Sequence, residues 1–423
     1  MSARPPRTGR RTAARALARA AALALAALAA APSVPASARE GDDGGTRTAL
    51  EELLVSREQR LSVDRGLAWL AEAQHKGGMW GDQRGTRIAD TSLAVLALMA
   101  GGSTVGACSP LRDGEGIGQE TLRGPYARNV REGLRFLARL AWSDETGKVP
   151  GYIAAEHDTS RMHGHGFATL ALAEASGNLG PLDLKSLRAA VASGHDPASM
   201  RLADQVRWGL ERAVRCIERA QDHDTGGWTY EPDAIDHEGS MTVTQIAALR
   251  AAQDAGVRID GAVMRRAYDY IKKSQNKTNA QYVGGFAYRM TMLDRVSYGL
   301  TAASLSTLFG LGRYGEDRED RAAIDLGLRY MDRNVSRVLD PDTQWFYYNL
   351  FYGAQALYLS GDERRIERDW PRIREAVLDQ QRSDGSFRDC GPAADPGDVE
   401  YSTAIACLTL LVPMETLPIF QRR

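Results

Sequence analysis

The stretch QHKGGMW at residues 74–80 returns in altered form as QDHDTGGW at 221–228 and as QRSDGSF at 381–387. Each copy begins with a glutamine, passes through glycine and ends in an aromatic residue, and a longer copy runs from Gln275 to Phe286. A segment of helical period precedes each copy, and a more apolar segment follows it and ends at glycine or proline, residues that stop helices. The sequence therefore predicts a repeated unit of two helices joined by a glycine-containing turn.

Two further copies of the unit are weaker. Residues 129–153 keep only Gly151 and Tyr152 of the turn, and residues 324–348 keep only Trp345. With these copies the chain has six units and twelve predicted helices. Glycine supplies backbone angles that other residues resist, and a glutamine amide can bond the backbone groups left free at a helix end. We therefore expect the turns to be structural and to fasten the first helix of each unit to the second.

The two helices of a unit differ in polarity. In the second unit Val130, Leu134 and Leu137 share one face while Arg131 lies on another, which predicts a helix with one side in water. The second helices, such as TSLAVLALMA at 91–100, are apolar nearly all round and must be covered on most sides. Six such hairpins predict an all-α protein, an α/α toroid with an outer amphipathic ring and an inner apolar ring. An open solenoid of the same hairpins is the alternative.

Residues 1–38 have the composition of a secretory signal peptide. Six arginines without an acidic residue come first, an apolar run of twelve follows at 20–31, and an Ala-x-Ala ending closes at Ala38. Twelve residues are too few to span a bilayer as a helix, and no other stretch reaches about 18 apolar residues. We expect cleavage after Ala38 and an exported protein, periplasmic or secreted. Loss of six arginines takes the net charge from −1 to −7, which argues against nucleic acid as a partner.

The rest of the chain divides around the repeats. We expect an N-terminal tail and lead-in at residues 39–60, the toroid at 61–412 and a C-terminal tail at 413–423. Residues 178–209 lengthen the second connection and are helical in character, so we expect them to pack outside the ring or to shield one mouth of it.

The four cysteines are too sparse for a fold built on disulfides. Cys216 and Cys407 lie in apolar helical patterns, which predicts buried free thiols. In an oxidising compartment one pair could still form a bridge, so the state of Cys108 and Cys390 stays open.

The glutamine-to-aromatic turns resemble the QW repeat of the prenyltransferase and squalene-cyclase superfamily, and the resemblance covers residues 60–412. It implies an α/α toroid with a central apolar cavity. The acidic Asp-x-Asp-Asp motif of the cyclases is absent, since the only adjacent aspartates are Asp42 and Asp43. Where protein prenyltransferases hold zinc, the matching stretches keep Asp294 but have Val296 and Ser402 in place of the cysteine and the histidine. We therefore expect no zinc at that position and no cofactor.

The starts of the predicted inner helices carry the remaining candidate residues. His157, His163 and His165 could bind a metal or transfer protons, although His163 and His165 would point about 200° apart on a regular helix. Asp90 reads as a helix N-cap. Three tyrosines suit the polar rim of an apolar cavity. The candidates for that rim are Asp90, His163, His165, Asp294, Tyr298, Tyr348, Asn349 and Tyr401.

These patterns favour a binding protein that takes an apolar small molecule, such as an isoprenoid or a lipid, or a protein segment in its central cavity. The alternatives are a divergent terpene cyclase or transferase, or a toroidal enzyme that degrades a polymer. Two carboxylates facing each other across the cavity would favour an enzyme. A tyrosine rim without paired acids would favour a binding protein.

Overall fold

The structure is a computed structural model that describes residues 53–81, 85–110, 117–143, 149–179, 188–189, 191–194, 196, 200–313, 317–390 and 399–421. These described residues belong to one compact unit. The predicted signal peptide and most of the segment at 178–209 lie outside the described residues. Of that segment, residues 188–189 and 191–192 are helical, and Arg188 pairs with Glu211.

The described residues contain twelve α-helices and one β-hairpin. In chain order the elements are α1 (Arg57–Ala73), α2 (Arg87–Ala100), β1 (Thr104–Pro110), β2 (Ile117–Arg123), α3 (Ala127–Ser143), α4 (Arg161–Ser176), α5 (Leu202–Ala220), α6 (Gly239–Asp254), α7 (Gly261–Lys273), α8 (Tyr298–Gly310), α9 (Arg318–Val338), α10 (Phe346–Ser360), α11 (Glu363–Leu378) and α12 (Val399–Leu411). Each odd-numbered helix and the even-numbered helix that follows it form one unit.

The helices form the two predicted rings. On α3, Val130, Leu134 and Leu137 are fully buried while Arg131 keeps contact with solvent. Every residue of α2 except Arg87 is buried. Helices α2, α4, α6, α8, α10 and α12 pack against one another in turn, and α12 packs against α2. The inner ring is therefore closed, which excludes the open solenoid.

The glutamine of each clear turn connects its own unit to the next one. The Gln221 amide nitrogen donates to the Gly226 carbonyl of its own turn and to the Val263 carbonyl of α7, at 2.9 and 3.0 Å. The amide of Gln381 bonds the Ser62 carbonyl of α1 at 2.8 Å, so the last unit is fastened to the first. We expected these turns to join helices within one unit, and the structure shows that they also join neighbouring units. Gln74 and Gln275 make the corresponding bonds to Asn129 and Ala323.

A glycine lets each turn lie directly on the neighbouring helix. Gly226 has a φ of 86°, and a Cβ at this position would lie 2.3 Å from the Arg266 carbonyl oxygen of α7. Gly385 has a φ of 96°, and its Cβ would lie 2.7 Å from the Arg65 carbonyl oxygen of α1. No side chain fits into that space, so the contact requires glycine.

The aromatic residue of the turn joins the two helices of its own unit, as expected. Trp228 is fully buried, and its ring nitrogen donates to the Ile217 carbonyl of α5 at 2.8 Å. Its backbone nitrogen donates to the hydroxyl of Thr242 on α6 at 3.1 Å. Corresponding backbone bonds run from Trp80 to Thr91, from Phe286 to Thr301 and from Phe387 to Thr403.

The second unit departs from the predicted pattern by one residue. Gly151 takes the place of the close-contact glycine, with a Cβ position 2.3 Å from the Arg212 carbonyl oxygen. Two residues later comes Ile153, so Ile153 and not Tyr152 occupies the position of the aromatic. The Ile153 backbone nitrogen donates to Nδ1 of His165 at 3.0 Å, the bond that a threonine accepts in the four units with a clear turn.

Trp345 in the fifth unit is not a buried turn residue. It precedes α10 with a φ of 62° and is 42% exposed. The prediction that Trp345 has the same place in its turn as Trp80 and Trp228 was therefore wrong, because Trp345 is partly exposed whereas the other two are fully buried.

The β-hairpin was not predicted. Strands β1 and β2 pair antiparallel with Val105 opposite Leu122, and the ladder contains two irregularities. It fills the connection between α2 and α3, outside the repeat.

Among the cysteines, Cys216, Cys390 and Cys407 are buried free thiols, as predicted for Cys216 and Cys407. The side chain of Cys108 lies outside the described part of the chain.

Candidate functional site

Three layers of side chains line the axis of the inner ring. Positions i, i+4 and i+7 share one face of a helix. The third layer borders a central cavity on every inner helix. The first layer, which we call the mouth, is Ala89, His163, Ser240, Gly299, Tyr348 and Tyr401; the second is Leu93, Phe167, Thr244, Ala303, Tyr352 and Ile405; the third is Leu96, Leu170, Ala247, Ser306, Gln355 and Leu408.

The central cavity is small and mostly apolar. Its volume is about 40 Å³. A cavity needs roughly 10–15 Å³ by this measure to hold one water, so there is space for about three. Beyond the third layer it is bordered by the C-terminal residues Leu417, Ile419 and Phe420. Phe420 is 1% exposed and packs edge-on against Phe351, with ring centroids 6.4 Å apart.

Aromatic rings connect the mouth to this cavity. The ring of His163 stacks on Phe167 at 6.3 Å and meets Tyr230 edge-on at 6.4 Å. Across the ring, Tyr348 meets Tyr352 at 4.8 Å. Phe167 and Tyr352 also border the cavity, so these two rings lie between the cavity and the mouth. The Tyr230 and Tyr288 hydroxyls lie 2.8 Å apart at the edge of this group.

Two buried polar atoms of the mouth have no hydrogen-bond partner. They are Nε2 of His163 and the hydroxyl oxygen of Tyr348. Burial lowers the pKa of His163 to about 4, opposed by a backbone hydrogen bond at Ser240, so the imidazole is neutral at pH 7. Burial also raises the pKa of Tyr348 well above its usual value, and nearby Tyr352 adds to this, so the phenol keeps its proton. The mouth thus contains one neutral imidazole and one protonated phenol, each packed against aromatic rings.

The carboxylates around the mouth stabilise the fold through hydrogen bonds and an ion pair. Glu238 is fully buried and accepts bonds from the backbone nitrogens of Ser240 and Met241, and burial raises its pKa. Asp236 forms a bidentate ion pair with Arg289, in which Nη2 of Arg289 lies 2.8 Å from Oδ2 of Asp236. Asp158 accepts from the backbone nitrogen of Ile88 at 2.9 Å, at the start of α2. The opposed acid pair that would favour an enzyme is not formed by these three groups.

The three histidines of the predicted cluster do not converge. His165 is fully buried on the opposite side of α4, with Nε2 3.3 Å from the Ala213 carbonyl of α5. Burial lowers the pKa of His165 to about 4. His157 is exposed and lies 3.5 Å from Glu156. Within the described residues, no group of three or more His, Cys, Asp or Glu side chains could hold a metal ion.

Only some of the residues predicted for the cavity rim lie at the mouth. Tyr298 faces a small void beside Asp332 and Arg365, between the rings, and so lies away from the mouth. Asn349 is buried and accepts from the backbone nitrogen of Gly299 at 3.0 Å, which ties α10 to α8. Only Tyr348, Tyr401 and His163 of the predicted set belong to the mouth.

Asp90 and Asp294 also lie elsewhere than expected. Asp90 is not the N-cap of α2, because the helix begins at Arg87 and Asp90 accepts from Thr86 in its first turn. Asp294 lies on an exposed loop before α8, and Val296 forms a bridge with Ala287 in that loop. Ser402 is fully buried.

Sequence reasoning missed Tyr230, Phe167, Tyr352 and Gln355. The i, i+4, i+7 spacing from His163 and Tyr348 would have found the last three. Tyr230 follows a buried turn, and only the packing of neighbouring units brings it to His163.

No known protein family and no curated protein matches the sequence. Solved structures match the fold. An inactive variant of an α-1,6-mannanase of Salegentibacter sp. HEL1_6, in complex with α-1,6-mannotriose, is 11% identical, covers 84% of this chain and 99% of its own, and has a TM-score of 0.51. The chain is an α/α toroid. A variant of the type II terpene cyclase MstE from Scytonema, in complex with geranylgeranyl dihydroxybenzoate, is 17% identical, covers 87% of this chain and 100% of its own, and has a TM-score of 0.44.

At these identities the likeness shows the fold of the toroid and does not assign a reaction. No helix in the described part of the toroid is both long and apolar enough to cross a membrane.

Proposed function

We propose that this toroid is an exported binding protein for a small amphiphile, a molecule with a short apolar body and a neutral hydroxyl or carbonyl group. The observation that supports it is the pair of unpartnered polar atoms, His163 Nε2 and the Tyr348 hydroxyl, in an aromatic mouth next to an apolar cavity. A buried polar atom without a partner costs about 1–3 kcal/mol. A ligand oxygen between the two groups would recover this energy.

The charges of the mouth favour a neutral ligand group. His163 is neutral at pH 7, and Arg289 is already paired with Asp236. The buried carboxylate of Glu238 lies close enough to raise the pKa of Tyr348, so it would repel a phosphate or a carboxylate. A hydroxyl can donate to an imidazole nitrogen and accept from a phenol, which matches both groups.

The size of the cavity sets the length of the apolar body. Three waters correspond to about 90 Å³ of liquid, which suits a body close to one isoprene unit. A long polyprenyl chain would have to displace Leu417, Ile419 and Phe420 from the far end of the cavity. We therefore expect prenol to bind, and geraniol and geranylgeraniol to bind no more tightly than prenol.

Tyr348→Phe tests the proposal by removing only the unpartnered hydroxyl. It should weaken prenol binding about tenfold, or about 1.4 kcal/mol, in calorimetric titrations, and leave Tm unchanged or higher. Tyr347→Phe is the matched control, because the Tyr347 hydroxyl donates to the Arg388 carbonyl at 2.7 Å. That change should lower Tm and leave binding intact. Unchanged binding in Tyr348→Phe together with a lower Tm would assign the hydroxyl to the fold and contradict the proposal.

Polymer degradation is the second candidate, favoured by the likeness to the mannanase fold. Glycoside hydrolysis needs two free carboxyl groups on opposite sides of the bond that is cut. Here Glu238 and Asp158 are occupied by helix N-termini. We expect no release of mannose from α-1,6-mannotriose after prolonged incubation. Turnover that disappears in Glu238→Gln would replace the binding function with catalysis.

A further inference from the structure

Most of the strongly exposed apolar side chains of the described residues lie at the mouth end of the ring. There are five large ones, and four of them are in the loops that lead into α6, α8 and α10. Ile235 is 88% exposed, and the other three are each more than a third exposed. Apolar residues scattered singly over a surface are normal, whereas a group of them marks an interaction site. We call this group the apolar arc; it consists of Ile235, Met292, Leu293 and Trp345.

Hydrogen bonds and an ion pair fasten the three loops to one another. Asp236, which follows Ile235, forms an ion pair of 2.8 Å with Arg289 in the loop before α8. The backbone nitrogen of Gly299, at the start of α8, donates to the side-chain oxygen of Asn349 on α10 at 3.0 Å. Neighbouring helices pack about 8–10 Å apart, so the apolar arc extends over about 20 Å. It is therefore one surface and not three separate loop tips.

Trp345 has a backbone conformation that is costly for a bulky residue. Its φ of 62° lies in the left-handed region, which few residues other than glycine adopt. The carbonyl of Trp345 accepts from the backbone nitrogen of Asn349 at 2.8 Å in the first turn of α10, which fixes this position. The side chain nevertheless stays partly in solvent and does not fill the core. Strain of this kind is typical of positions that function requires.

The charge around the apolar arc is negative. Residues 231–238, 289–296 and 339–345 contain seven acidic residues and two arginines, a formal charge of −5. The arc therefore repels an anionic surface and also the same arc of a second copy. A partner that has both apolar groups and positive charges complements it. Four of the acidic residues are exposed: Asp233, Asp294, Asp340 and Asp342.

We propose that the apolar arc is a docking surface for a partner protein, which presents to it a polypeptide segment with alternating apolar and basic residues. The apolar side chains of the segment contact the arc, and its Lys or Arg side chains pair with the exposed acids. An extended chain rises about 3.3 Å per residue, so about seven residues cover the arc. The inference is independent of the ligand of the cavity, because no residue of the arc borders the cavity.

The test measures the binding of three labelled heptapeptides to the full chain by fluorescence anisotropy. The first alternates lysine and leucine, the second has serine in place of leucine, and the third has glutamate in place of lysine. The lysine–leucine peptide should bind about tenfold more tightly than either of the others, because it alone matches both the apolar residues and the charge. Its affinity should fall as salt is added. Equal affinities, or no binding of any peptide, would refute the docking surface.

Ile235→Ser locates the binding on the arc. It should weaken binding of the lysine–leucine peptide about tenfold and leave Tm unchanged, because this side chain is in solvent in the free protein. Trp345→Ala should act in the same direction. The matched control is Leu61→Ser, at a 48% exposed residue of α1, which should change neither binding nor Tm. Equal effects of Ile235→Ser and Leu61→Ser on binding would show that the peptide does not dock on the arc.

A double variant, Asp233→Asn with Asp294→Asn, tests the charges. It should weaken binding of the lysine–leucine peptide and make the affinity less dependent on salt. Its control is Glu58→Gln with Glu367→Gln, which removes the same charge at exposed positions of α1 and α11. If both double variants lose the same affinity, the peptide responds to the overall charge of the protein and the proposal is wrong.

Two other occupants of the arc predict different results. If the arc binds a lipid surface, phosphatidylcholine vesicles should sediment with the wild type and not with Ile235→Ser. If it binds a second copy, the wild type should be a dimer in analytical ultracentrifugation and Ile235→Ser a monomer. Either result would overturn the polypeptide as the partner.

Discussion

At His165 an imidazole has the structural role that a threonine hydroxyl has in other units. In four units a threonine hydroxyl accepts the bond from the turn, and in the second unit an imidazole nitrogen accepts it. Both groups satisfy the same buried backbone nitrogen. They differ in that the imidazole can be protonated, and its protonated form cannot accept this bond.

Acid should therefore destabilise the protein through His165. The folded state keeps this side chain neutral, with a pKa of about 4, while the unfolded chain binds a proton below about pH 6.5. The free energy of unfolding should fall as the pH drops from 6.5 to 4, by about 3 kcal/mol from this residue, and level off below pH 4. In urea unfolding at several pH values, His165→Thr should show a weaker pH dependence. His157→Thr, at an exposed position, should keep the wild-type slope, and identical slopes for all three proteins would disprove the role.

The turn acts at the scale of the element, because each one holds three helices. Its aromatic residue joins the two helices of its unit, and its glutamine and glycine join the next outer helix. The glycine contact is the tightest, since a backbone carbonyl occupies the space of a side chain.

Gly226→Ala should therefore destabilise far more than its backbone angle alone explains. Gly226 and Gly256 have the same φ of 86°, but a Cβ at Gly256 meets nothing within 4 Å. The left-handed angle costs about 1–2 kcal/mol in either variant. Gly226→Ala also requires the α7 backbone to move. Its loss in the free energy of unfolding, measured by chemical denaturation, should therefore be several-fold larger than that of Gly256→Ala. Equal losses in the free energy of unfolding for the two variants would show that the α7 backbone moves at little cost.

Trp228→Ala should destabilise by about 3–5 kcal/mol, because it empties a fully buried site and removes a hydrogen bond. Trp345→Ala, at a 42% exposed residue, should change the free energy of unfolding by less than about 1 kcal/mol. The two values come from the same denaturant titration. A large loss for Trp345 would reveal a packing role that its exposure does not suggest.

The repeat and both rings were predictable because glycine, glutamine and apolar periodicity report local geometry. Ile153 was missed since it matches the other units in position but not in chemistry. Tyr298 was misplaced because its helix is buried on all sides, and an apolar helix pattern does not tell which side faces the axis. The unpartnered atoms of His163, Tyr348 and Gln355 depend on what neighbouring helices leave unoccupied, which no single segment encodes.

At the scale of the whole molecule, the closed ring makes the first and last units neighbours. Besides the Gln381 bond to α1, the Arg374 guanidinium donates to the Leu53 carbonyl at 2.8 Å, and the Gln59 amide donates to the Leu410 carbonyl of α12. Contacts between residues more than three hundred positions apart thus complete the fold.

Export should remove the leader before this ring is used. Residues 1–38 carry the three parts of a signal peptide, so the mature chain should begin at Arg39. Intact-mass measurement of protein recovered from the host envelope or medium gives the N-terminus directly. Exported protein that still begins at Met1 would contradict cleavage.

The bond from Gln381 to Ser62 has the same form as the bonds between units that follow each other in the chain. Neighbouring units of the ring therefore make the same contacts whether or not a peptide segment connects them. A circular permutant that links residue 421 to residue 53 and begins anew in the loop at 255–260 keeps every one of these junctions. The place where the polypeptide starts is then a property of the gene and not of the fold.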